Sequence, residues 1–158
     1  MRGLRPAAGR RLAGFVRPHC SGRIPIMPNW LRIVLAIVAG FVVWFAVATV
    51  GNLAIRWLLP GYTEVEKAMD FSLGMLAARL VLGAVASFAA GAACAAIGRS
   101  ARAATYLFAL LLLALFVPVH LSLWAKFPVW YHVVFLGSLV PLVVLGAKLL
   151  SSRGTSAA

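Results

Sequence analysis

Acidic residues are the scarcest feature of this 158-residue chain, which has only Glu64, Glu66 and Asp70, all in one short segment. Only 11% of the residues are charged, against about 25% in soluble domains, so a water-soluble globular domain is excluded. Cysteine is nearly missing as well. Cys20 lies in an Arg-rich leader and Cys94 in an apolar run, so neither a disulfide framework nor a zinc knuckle can be assembled. No phosphate-binding glycine loop, nucleophile elbow or HExxH motif occurs. The candidate spans hold no carboxylate, which leaves a proton- or cation-coupled pump without a carrier.

What is present is apolar: 63% of the residues are hydrophobic. The expectation is an all-α membrane protein. A helix rises about 1.5 Å per residue, so about 20 apolar residues cross the hydrocarbon core. Four runs qualify, at about 33–55, 73–97, 103–123 and 129–150. Connections at 98–102 and 125–128 leave room only for tight hairpins, so sequential spans should pack antiparallel. The expected fold is a four-helix transmembrane bundle forming one domain over 27–153, with a tail at 154–158.

The formal charge of +12 would suit a nucleic-acid binder, but the cations sit at the ends of apolar runs. They are better read as topology signals, with the lipid bilayer as partner and no nucleic acid. Arg32, Arg99, Arg102, Lys148 and Arg153 fall on one side of the membrane, and Arg56, Lys67 and Lys126 on the other with all three acids. The positive-inside rule places both termini in the cytoplasm. Trp57, Tyr62, Trp124, Phe127, Trp130 and Tyr131 fall near the outer span ends, where amphipathic rings suit the headgroup layer, whereas Trp44 lies in mid-span. Residues 1–26 carry six Arg, no acid and no hydrophobic period. They read as untranslated sequence upstream of a start at Met27, as a transit peptide, or as a lipid-binding basic arm.

Before the second span, Thr63-Glu64-Val65-Glu66 has the form of a capping box, so a short capped helix is expected to start at Glu64 after the Pro60-Gly61 break. If it ran unbroken into the second span it would project well beyond the bilayer, with Gly74 as a point of bending.

Three constellations stand out. Gly83, Ser87, Gly91 and Ala95 recur every four residues along the second span, a stripe that lets another helix approach closely, within the bundle or between subunits. His120 and His132 lie six residues either side of Lys126 and so share a depth. They read as a metal- or proton-handling pair, or as two interfacial histidines each bonded to a backbone carbonyl or a neighbouring helix. Arg79 lies in apolar surroundings, where an ionised side chain must pair or snorkel. Depth groups Arg79, His120, His132, Glu64, Glu66 and Asp70 into one candidate polar cluster at the outer level. Pro118 and Pro141 interrupt the third and fourth spans, where kinks are tolerated if neighbours satisfy the freed carbonyls.

From Met27 onward, Asn29-Trp30-Leu31-Arg32 at the start and Trp124, Pro128-Val129-Trp130-Tyr131-His132, Phe135-Leu136, Pro141 and Gly146 near the end resemble small four-span inner-membrane proteins of proteobacteria that carry a domain of unknown function. The resemblance implies location and fold and brings no activity with it. The expected function is a non-enzymatic accessory or envelope component acting through helix–helix contacts, with a homo-oligomer or another membrane protein as partner and no cofactor. The alternative is a small transporter or channel using the outer cluster.

Overall fold

The computed structural model describes residues 28–98 and 102–155, with side chains up to Ser151. The leader, Met27, Cys20 and Arg99 lie outside the described residues, as does the side chain of Arg153. Every regular element among the described residues is helical: α1 Asn29–Leu58, α2 Tyr62–Ala68, α3 Leu73–Ile97, α4 Arg102–Ser122 and α5 Val129–Thr155. The four long ones are apolar and long enough to cross a membrane. At about 1.5 Å per residue, even the 21-residue α4 reaches about 30 Å.

The chain between α1 and α3 departs from the expected capping box. Leu59 ends α1 in an extended conformation, and Gly61 (φ 77°) turns the chain, so α2 begins at Tyr62. Thr63 is thereby already inside the helix and makes no cap; the amides of Glu64 and Val65 bond instead to the Gly61 carbonyl, at 3.2 Å each. Nor does α2 run into α3. Met69 adopts a left-handed conformation (φ 59°) and stops it. Ser72 then caps α3, its Oγ accepting from the Met75 amide at 3.4 Å, so the break falls at 69–72 and not at Gly74.

α3 is the central element. It packs most extensively on α5, then on α1, and only lightly on α4, its neighbour across the 98–102 connection. α3 and α5 run in the same direction, so the main seam joins two parallel spans and not an antiparallel hairpin. Small residues set the closeness. A Cβ on Gly91 would strike the Val143 carbonyl, and one on Gly146 would strike the Phe88 carbonyl, so the two backbones touch at a single crossing. Nearer the α2 end, a Cβ on Gly83 would lie 2.7 Å from the Phe135 ring. On the other side of α3, Gly51 of α1 accommodates Leu82. Ala95, at the far end of the stripe, is only partly buried.

The middle of the bundle is filled by Ala36, Trp44, Ala90, Phe108, Leu112, Leu139 and Val143. Trp44 is buried, and its indole donates to Ser87 Oγ at 3.2 Å while Ser87 donates to the Gly83 carbonyl at 2.7 Å. The mid-span tryptophan is thus a hydrogen-bonded bridge between α1 and α3. A smaller apolar cluster of Leu76, Phe127 and Tyr131 closes the bundle beneath α2. Elsewhere α1 shows Val34, Val38, Val42 and Phe45 outward, the apolar exterior expected of a span.

Candidate functional site

The polar groups of the α2 end divide into an ion network and a histidine pair. Glu66 is the centre of the first. Its Oε2 accepts from Arg56 Nη2 at 2.8 Å and Nε at 3.0 Å, and its Oε1 lies 3.7 Å from Arg79 Nη1. Arg79 also donates to the Tyr62 hydroxyl at 2.9 Å and lies 4.8 Å over the Phe71 ring. Tyr62 is fully buried, because α2 folds back across the end of the bundle and carries its first residue inward. Arg79 therefore neither snorkels alone nor points into lipid: two elements fold over it with an acid, a phenol and an aromatic face.

The other acids do not join this network. Glu64 is exposed and pairs only with Lys67 at 3.7 Å, and Asp70 is exposed with no side-chain partner among the described residues. For Glu64 the reason is helical phase, since Glu66 sits on the α2 face turned toward Arg56 and Arg79, and Asp70 lies past the Met69 break, outside α2.

His120 and His132 meet each other rather than Arg79 or separate carbonyls. Their Nδ1 atoms are 2.8 Å apart, joining α4 to α5, and both residues are buried. Trp124 stacks on the His132 ring at 4.8 Å and Phe135 on the His120 ring at 4.6 Å. With both Nδ1 atoms engaged in one hydrogen bond, neither offers a lone pair to a third atom. No group of three His, Cys, Asp or Glu able to hold a metal occurs among the described residues.

Beside these groups lies a cavity of about 430 Å³ between α1, α3, α4 and α5. Arg56, Arg79, Asn52, Thr49, His120 and Tyr131 supply its polar lining, and Trp44, Phe116 and Phe135 are among its apolar walls. α1 follows α3 along its length, with Ala36 near Gly98, Trp44 bonded to Ser87 and Gly51 against Leu82, and it meets α4 where Gly40 and Phe41 press on Phe108 and Trp44 on Phe116. A second cavity, of about 360 Å³, lies at the opposite end against Arg102, Thr105 and Lys148.

No family model matches this chain, and neither a curated protein nor a solved structure is similar to it. Of the residues singled out in the sequence, Arg79, Glu66, His120 and His132 come to one end of the bundle in two bonded groups. Arg56 and Tyr62 were missed. A usable signal existed for Tyr62: the Pro60-Gly61 turn reverses the chain, so the first residue after it is carried back over the bundle.

Proposed function

We propose that the chain is a non-enzymatic accessory component of a bacterial inner membrane, with both termini in the cytoplasm, and that its bundle is a closed module and not a conduit. One observation carries the reading: the middle of the bundle is packed across. The two cavities lie at opposite ends and share no lining residue. Between them stand Trp44, Phe108, Leu112, Leu139 and Val143, with the Trp44–Ser87 bond as the polar contact at that level. The Lys/Arg asymmetry supports the orientation, and the resemblance to four-span proteobacterial proteins supports the inner membrane. The Gly83–Gly91 stripe is consumed by α5, so contacts to a partner or a second copy must use other faces.

The transporter reading is favoured by a different observation, the polar lining of the cavity at the α2 end. The two readings part in reconstituted liposomes. Vesicles holding the purified full chain and a potassium chloride gradient should leak no faster than protein-free vesicles. A chloride or proton flux severalfold above that background would overturn the closed-module reading in favour of transport.

A further inference from the structure

We infer that the cavity at the α2 end is a lateral binding site for an acidic phospholipid, the headgroup lying among Arg56, Arg79 and His120 and an acyl chain descending toward Trp44. Three independent features converge on it.

The first is charge. Two guanidiniums face a single carboxylate at the cavity, because Glu66 is shared between Arg56 and Arg79 while Glu64 and Asp70 stay outside. One positive charge is left over at the level where a headgroup lies. Basic pockets between spans select anionic headgroups on this principle.

The second is an unpartnered donor. His132 Nε2 is buried with no hydrogen-bond partner. In the Nδ1···Nδ1 bond between two neutral imidazoles one ring must donate and the other accept. A buried N–H without an acceptor is the costlier defect, so His132 carries its proton on Nδ1 and leaves a bare lone pair at Nε2. His120 Nδ1 then accepts, and its proton resides on Nε2. That atom has no partner among the described residues, in a side chain 7% exposed that lines the cavity. The tautomer chain, anchored by the orphan on α5, leaves an N–H donor on a residue that lines the same cavity as the two arginines. The ligand is therefore an acceptor.

The third is shape. The volume falls in the usual range for small-molecule sites. The exposed lining residues are Thr49, Leu53 and Arg56 on α1 and Val119 on α4, so the mouth opens sideways between α1 and α4, toward lipid. The apolar walls include Leu53, Leu82, Phe116 and Phe135, with Trp44 farther from the α2 end, and they suit a hydrocarbon chain and not a free hydrophilic anion.

The test uses the purified full chain in neutral detergent, with native mass spectrometry reading retained lipid. Dioleoyl phosphatidylglycerol and dioleoyl phosphatidylcholine have the same chains and differ in headgroup charge, and inorganic phosphate supplies the headgroup chemistry without chains. The acidic lipid should be retained at least tenfold better than the zwitterionic one, with no competition from millimolar phosphate. Arg79→Gln should lower retention about tenfold, the worth of one charge-assisted hydrogen bond. Because Arg79 also holds α2, a second variant keeps every charge: Val119→Trp, at the exposed rim, should block retention by filling the mouth. Lys67→Gln, a cation at the same end outside the cavity, should change nothing. Equal retention of the two lipids, or a preference surviving both Arg79→Gln and Val119→Trp, would overturn the site. Displacement by phosphate alone would reassign it to a free anion and overturn the phospholipid. No gradient enters this assay, so its outcome is separate from that of the flux measurement.

Discussion

A methyl group at position 91 should force α3 and α5 apart. The Gly91 Cα faces the Val143 peptide so closely that an added Cβ lands on the carbonyl group itself. No rotamer change relieves a clash with backbone, so the helices must separate or rotate and lose the close packing around Ala90, Leu139 and Val143. Overpacking costs about 1–3 kcal/mol, and a backbone collision belongs at the upper end of that range. Replacing Gly by Ala inside a helix returns about 1 kcal/mol through propensity, leaving a net loss of roughly 2 kcal/mol. For a chain of this size that corresponds to a fall in Tm of roughly 5 °C. Thermal unfolding in neutral detergent measures it. Gly137→Ala is the internal reference: nothing lies within 4 Å of its added Cβ, so the same propensity gain should appear there without the collision. Gly146→Ala meets the Phe88 carbonyl at the same crossing and should cost as much as Gly91→Ala. The double variant should then fall short of the sum, because one separation relieves both clashes. If Gly91→Ala melted with or above Gly137→Ala, the backbones would not touch at Val143 and the parallel α3–α5 seam would be wrong.

Other expectations rest on the polar contacts. Ser87→Ala removes the acceptor of the buried Trp44 indole and should destabilise by about 1–3 kcal/mol, the cost of leaving a buried donor unsatisfied, whereas Ser138→Ala, whose hydroxyl bonds only its own helix, should be near neutral in the same detergent melt. His132→Leu leaves the buried His120 Nδ1 without a donor and should cost about 1–3 kcal/mol, while His120→Leu/His132→Leu should recover most of that loss; a double variant no better than the single would contradict the Nδ1···Nδ1 bond. A double-mutant cycle on Arg56 and Glu66 should give a coupling of no more than about 1 kcal/mol, since both side chains are partly exposed and screened, and it should shrink in high salt. A reporter active only outside the cytoplasm should be silent when fused to Ala158; strong activity there would reverse the proposed topology.

The four apolar helices could be read from the chain because the bilayer imposes a length and a composition on each one independently, with no knowledge of its neighbours. The stripe Gly83, Ser87, Gly91 was visible for the same local reason: a period of four puts residues on one helix face. That its main partner would be α5 was not visible. Short connections favour sequential neighbours, yet α3 lies against the parallel α5 because Gly91 and Gly146 fit each other's backbones. Likewise the sequence brought six polar residues to one depth, but depth is only one coordinate. Azimuth is set by helix packing, and packing sent the histidines to each other, gave Glu66 to Arg56 and Arg79, and left Glu64 and Asp70 in water. The capping box failed through a shift of two residues, when the Gly61 turn started α2 at Tyr62 and not at Glu64, and the side-chain cap in this segment is the one Ser72 gives α3. Trp44 is the clearest case of a tertiary decision. Its sequence context is wholly apolar, and only the crossing of α1 over α3 supplies the Ser87 hydroxyl that lets an indole N–H be buried at mid-span. Hydropathy and charge are sums over a segment and are fixed by composition. The cavity, the histidine tautomers and the shared carboxylate depend on which faces meet, a property of the assembled bundle that no single span contains.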